Sequence, residues 1–139
     1  MDPFRGADEA GWFPFSGATL PDLLPVLDPR PLKDLLEMGA DPGLMAELVG
    51  LLRADAPVRQ AALWKALEAT DQGAAAQEAH QLKGALGTLG LLRLADHVGR
   101  MEACLRSARW EEARHLLEAF PAGYEEALAA LLAAFPEAG

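Results

Sequence analysis

The chain has 139 residues, 51% of them hydrophobic, which is enough for one domain with its own core. Its formal net charge of -9, with the arginines scattered along the chain, would repel a phosphate backbone and argues against a nucleic-acid partner. Cys104 stands alone, so neither an internal disulfide nor a zinc ligand set can be assembled; no segment approaches bilayer-spanning length, and Asp2, Asp8 and Glu9 stand where a secretory signal would be basic, so the expected location is the cytoplasm, away from the membrane.

Aromatic residues make up only 6% of the chain and no run alternates apolar with polar residues, so helices must bury the apolar surface and the expected fold is all-α. Residues 1–27 hold Pro3, Pro14, Pro21 and Pro25 with Gly6, Gly11 and Gly17, too many breakers for a long helix, and read as an N-terminal arm. Phe4, Trp12, Phe13 and Phe15 leave two roles open for it: packing on a partner or a bundle end, or staying mobile.

Asp28 as N-cap with Pro29 behind it opens a short helix through Leu32, Leu35, Leu36 and Met38 that Gly39 closes. Asp41-Pro42 opens a second helix, whose apolar spacing runs through Leu52 and resumes at Leu63, with a bend or split expected near residues 53–56 because Pro57 lacks a backbone donor. A third helix follows the Asp71–Gly73 break and ends at Gly90, a fourth runs from about Leu92 to Ser107, and a fifth from Trp110 to about Ala134, interrupted or bent at residues 121–123. Short connections between long helices argue for an antiparallel up-and-down four-helix bundle with an additional short N-terminal helix, spanning residues 28–135, with 136–139 as a C-terminal tail.

On the third helix Ala75, Ala79, Leu82, Leu86 and Leu89 share one stripe, the core face. His80 lies well round from its centre, among Ala76, Gln77, Lys83, Gly84 and Gly87, all small or polar. Two interior glycines cost such a helix roughly 1 kcal/mol each relative to Ala, and on this face they give clearance rather than packing. An imidazole, largely uncharged at neutral pH, is a nucleophile through its one free lone pair. Lys83, about one turn on, can meet negative charge placed on that ring, and Glu102, at the edge of the core stripe of the next helix, can hydrogen-bond Nδ1–H and leave Nε2 free to attack.

The run Ala79-His80-Gln81-Leu82-Lys83-Gly84, with Ala85, Gly90 and the later Glu102, resembles the histidine-containing phosphotransfer (HPt) domain of bacterial multistep phosphorelays, over about Leu27 to Phe135. The resemblance implies that His80 takes a phosphoryl group from a receiver-domain aspartate and passes it to another response regulator, with Lys83 near the phosphoryl group and Gly84 giving clearance. Gln77 and Gln81 are candidate contacts to the phosphoryl group or the partner, and Glu102 stands where many relatives carry glutamine. The implied partners are response-regulator receiver domains and a hybrid sensor histidine kinase, meeting a monomeric phosphocarrier. The chain would need no cofactor of its own, Mg2+ being expected on the receiver, and no Gly-rich nucleotide loop suggests a kinase.

Three other readings compete: an ordinary surface histidine, a docking module without phosphotransfer, and a metal-binding bundle built on Glu112-x-x-His115. A di-iron bundle needs that last motif twice, and it occurs once. His97 and His115 are expected at polar or boundary positions, and Cys104 as a small buried residue.

Overall fold

A computed structural model describes residues 24–139, and the aromatic part of the arm lies outside the described residues. Five α-helices and no strand occur among those residues: α1 (Arg30–Glu37), α2 (Gly43–Glu68), α3 (Gln72–Thr88), α4 (Leu92–Arg106) and α5 (Trp110–Ala134), followed by a 3-10 turn at Pro136–Ala138. Three-residue connections reverse the chain after α2, α3 and α4. Helix α3 packs most extensively on α4, α4 on α5, and α2 closes the ring against α3 and α5. The expected helical bundle is therefore present, with α1 as the additional short helix.

The helix starts follow local chemistry. The Asp71 carboxylate accepts the Ala74 N–H at 3.1 Å and so caps α3, and the Asp41 side chain accepts the Gly43 N–H at 2.8 Å at the start of α2. Gly39 (φ +99°) ends α1 in the left-handed conformation that glycine adopts without strain. Two stops come without a glycine: Thr70 (φ 49°) after α2 and Ala108 (φ 56°) after α4. At the first, Asp71 N–H bonds Ala66 O at 2.9 Å and Thr70 N–H bonds Leu67 O at 3.1 Å, the paired closure that satisfies the last carbonyls of a helix.

Of the interruption or bend expected at the two internal prolines, interruption is overturned. Both α2, with Pro57, and α5, with Pro121, run through as single helices. Each proline removes one N–H from the ladder, yet both rings stand exposed, and the flanking turns bury Leu52, Ala56 and Leu63 in α2 and Leu117, Phe120 and Ala127 in α5. Burial of these side chains together, at roughly 1.5–3 kcal/mol for each Leu or Phe, outweighs the cost of a proline inside a helix, roughly 3 kcal/mol from the lost hydrogen bond and the ring clash.

The core joins Met45, Leu63, Leu82, Leu86, Leu91, Met101, Leu105, Leu117, Phe120 and Leu131. Helix α3 contributes Ala75, Ala76 and Ala79 as well, small residues that let α4 approach closely. Gln72 Nε2 donates to the carbonyls of Leu105 and Arg106, 2.9 Å each, and ties the first turn of α3 to the last turn of α4.

The last arm residues belong to the packed unit. Arg93 donates to the Leu24 carbonyl at 3.0 and 2.7 Å, Val26 and Leu27 lie against the core, and Asp28 N–H bonds Gly90 O at 2.8 Å. Gly90 has φ +78°, and a Cβ there would collide with the Asp28 carbonyl oxygen, so the α3–α4 turn requires glycine. At the other end Phe135 and Ala138 are buried and the 3-10 turn packs on α2. Among the described residues no helix is long and apolar enough to cross a membrane.

Candidate functional site

Helix α3 turns its alanine-leucine stripe into the bundle and carries His80 on the opposite, open side, with the imidazole side chain 61% exposed. Its Nδ1 lies 3.1 Å from Glu102 Oε2. The Glu102 side chain is only 9% exposed, because α4 packs its own core stripe, Leu94, Val98, Met101 and Leu105, against α3 and carries the carboxylate inward with it. An ionised carboxylate only accepts, so the shared proton sits on Nδ1 and the lone pair is on Nε2.

Two cations also converge on Glu102. Lys83 Nζ lies 3.6 Å from Oε1, and Arg106 donates from Nε and Nη2 to Oε2 at 2.9 and 2.7 Å. Burial pushes the Glu102 carboxyl up, but the Arg106 hydrogen bonds, the Lys83 charge and the His80 contact outweigh it and hold the group below the ordinary carboxylate range. The site is thus a buried, ionised carboxylate surrounded by an ammonium, a guanidinium and the exposed imidazole.

Space on the histidine face is open. A Cβ built at Gly84 or at Gly87 would have no neighbour within 4 Å, so helix packing does not account for either glycine. Gly99 on α4 differs: a Cβ there would lie 3.1 Å from Lys83 Cδ, and the missing side chain gives the lysine stem its lane across α4 toward Glu102.

Gln77 is exposed near His80. Gln81 faces α2, where its Oε1 accepts from Arg59 Nη1 at 2.8 Å, and the same guanidinium holds Asp55 at 2.6 Å and Glu78 at 3.2 Å. Ala76 requires a correction: at 4% exposure it is buried, not part of the open patch. Four residues before His80, it lies about 40° round the helix toward the side that Lys83 also occupies, and α4 covers that side. Beside the histidine face a groove of about 400 Å³ runs between α2 and α3, lined by Leu48, Leu51, Leu52, Ala85 and Leu89 among others.

Arg106 and Gly99 were not foreseen from sequence. For Arg106 a signal exists, the Glu102-x-x-x-Arg106 spacing that places an acid one turn before a base on one helix face; for Gly99 none does, since its neighbour comes from another helix. Of the remaining histidines, His97 Nε2 donates to the Leu116 carbonyl at 2.6 Å and His115 is exposed. Cys104 is buried, and desolvation pushes its thiol up. Among the described residues no three His, Cys, Asp or Glu side chains gather as metal ligands, and Glu112 pairs with Arg109 at 3.5 Å.

The bundle presents the exposed His80 imidazole on an open face, backed by a buried carboxylate and flanked by a lysine and two open glycines. The Hpt domain family model matches residues 47–135, more than half of the chain and all of this site, and the chain belongs to the Hpt domain family. It is a histidine phosphotransfer module of the kind used in phosphorelays. No curated protein and no solved structure matches the chain.

Proposed function

We propose that His80 Nε2 accepts a phosphoryl group from the aspartyl phosphate of a response-regulator receiver domain and returns it to the aspartate of a second receiver, in a cytoplasmic relay that starts at a hybrid sensor kinase. The observation that carries this reading is the geometry at the imidazole: Nδ1 is engaged by Glu102 at 3.1 Å while the ring stands 61% exposed. That leaves Nε2 as the nucleophile toward an incoming partner.

In the transfer the Nε2 lone pair forms the N–P bond as the bond from phosphorus to the aspartate oxygen breaks, and the carboxylate leaves with that electron pair. The ring becomes a cation that keeps its Nδ1 proton, and Glu102 faces that charge. Lys83, already beside the carboxylate, meets the phosphoryl oxygens. Gly84, Gly87 and Gln77 form the contact surface that a receiver covers, and Gln81 borders it toward α2. Mg2+ belongs to the receiver's acidic pocket, so the carrier supplies position and charge. We take Asp28 to Phe135 as the transfer unit, since the Asp28 N–H bond to the Gly90 carbonyl ties its first residue to the α3–α4 turn.

The test is phosphoryl transfer from a phosphorylated receiver to the wild-type protein and to His80→Gln. Acid-labile, base-stable label on the wild type alone is the expected result; equal label on both would move the acceptor elsewhere, and label on neither across several receivers would end the carrier reading.

A further inference from the structure

Glu102 is held unevenly. Its Oε2 takes both donors of Arg106, at 2.9 and 2.7 Å, and faces His80 Nδ1 at 3.1 Å, whereas Oε1 is buried with no hydrogen-bond partner and has only Lys83 Nζ at 3.6 Å. The terminal torsion of a glutamate is broad and roughly two-fold, so without Arg106 the compact lysine charge would be free to draw the carboxylate toward itself and away from the imidazole. Arg106 stands on a turn that is tied to α3. Its backbone carbonyl accepts from Gln72 Nε2, which anchors the last turn of α4 to the first turn of α3, and its guanidinium uses a rigid fork rather than a rotating ammonium.

The protonation of Glu102 has a consequence for the ring. Ionised, Oε2 accepts from Nδ1–H and the lone pair is on Nε2; protonated, the carboxyl can donate to Nδ1, which places the ring proton on Nε2 and removes the exposed nucleophile. The titratable and charged groups around the carboxylate are His80 and Lys83 from α3 and Arg106 from its own helix. Only Arg106 both hydrogen-bonds Oε2 and carries a permanent charge.

We propose that Arg106 is a positioning residue that selects the nucleophilic nitrogen of His80: by clamping Glu102 Oε2 in its ionised form against Nδ1, it holds the imidazole in the Nδ1–H tautomer with Nε2 open to the phosphoryl donor. The proposal rests on His80 as the phosphoryl acceptor for its purpose, but the tautomer it assigns exists in the unphosphorylated protein and is measured without any receiver.

The experiment is nitrogen NMR of the histidine rings in the full chain, for wild type, Arg106→Ala and Arg106→Lys, each checked for helicity and melting temperature. The Arg106 side chain is 58% exposed at a helix end, so the fold is expected to survive each change. The His80 signal should show the Nδ1–H tautomer in wild type, move toward the Nε2–H form in Arg106→Ala, and return in part in Arg106→Lys, which restores the charge but not the fork. Initial phosphorylation rates from one receiver should then fall on the order of tenfold in Arg106→Ala, the scale seen when a group that orients a ligating or reacting histidine is lost, with partial recovery in Arg106→Lys. An unchanged His80 tautomer in a folded Arg106→Ala protein would overturn the proposal even if wild type is phosphorylated normally. A tautomer that moves as expected, in a protein no receiver can label, would uphold the positioning role and defeat the phosphotransfer reading instead.

Discussion

Replacing Gly84 by glutamine should make the protein more stable and a poorer phosphoryl acceptor at once. The site lies inside α3 and a side chain built there meets nothing within 4 Å, so no clash offsets the gain in helix propensity. Glycine is about 0.8–1.0 kcal/mol worse than alanine in a helix interior and glutamine only a few tenths worse, which leaves a net gain of about 0.6 kcal/mol. At roughly 4–8 °C per kcal/mol for a domain near 100 residues, the melting temperature should rise about 3 °C. The new side chain would project one turn beyond His80, into the space a receiver must occupy, and transfer should slow on the order of tenfold as docking weakens by about 1.4 kcal/mol. Thermal unfolding followed by circular dichroism gives the first quantity, and transfer rates against receiver concentration the second. Gly50→Ala serves as a control: that site is also in a helix with nothing within 4 Å, and it should stabilise without slowing transfer. Loss of both stability and transfer in Gly84→Gln would refute the clearance argument and mean that the glycine is needed for packing after all.

Three other outcomes follow from the same geometry. Lys83→Ala should slow transfer or shorten the phosphohistidine lifetime without unfolding the bundle, because the lysine is half-exposed and Arg106 still holds Glu102; unchanged transfer kinetics would reduce the lysine to a solubilising charge. Gly90→Ala should cost about 1–3 kcal/mol, because its φ of +78° and the Asp28 carbonyl both reject a side chain, and an unaltered melting temperature would show that the turn relaxes freely. Glu102 titrates below its ordinary 4.5 in the fold, so the ionised group adds stability above that pH which is lost as pH falls through the lower, folded value. The stability difference between wild type and Glu102→Gln should therefore shrink as the protein is acidified below about pH 4; a difference that stays constant down to pH 2 would mean the carboxylate gains nothing from His80, Lys83 and Arg106.

Helix positions and the identity of the exposed histidine were legible in the chain because both are local. Apolar spacing near 3.6 residues, an aspartate before each of the first three helix starts and glycines at two stops reproduce the element order, and the 100° advance per residue separates His80 from the core stripe without knowledge of any neighbour. Three features depended on what the other helices do. Pro57 and Pro121 carry a local instruction to break, overridden because the turns on either side are held by burial that only the assembled bundle supplies. Ala76 is small and close to His80 on the helix surface, and only the position of α4 buries it.

The carboxylate cage shows the same division at the site itself. Sequence spacing placed Glu102 on the helix that follows His80 and so put the pair within reach, since a three-residue turn forces consecutive helices side by side. Which oxygen meets Nδ1, that Arg106 takes the same oxygen, and that Gly99 clears the path of Lys83 were decided by the register between α3 and α4. That register comes with the packing of the buried face of α3, which holds Ala75, Ala79 and Leu82, on α4, whose buried face holds Val98, Met101 and Leu105, and with the Gln72 tie at the end. Periodicity tells which side of a helix faces a partner; the axial offset between two helices is fixed only when side chains from both fill the same space.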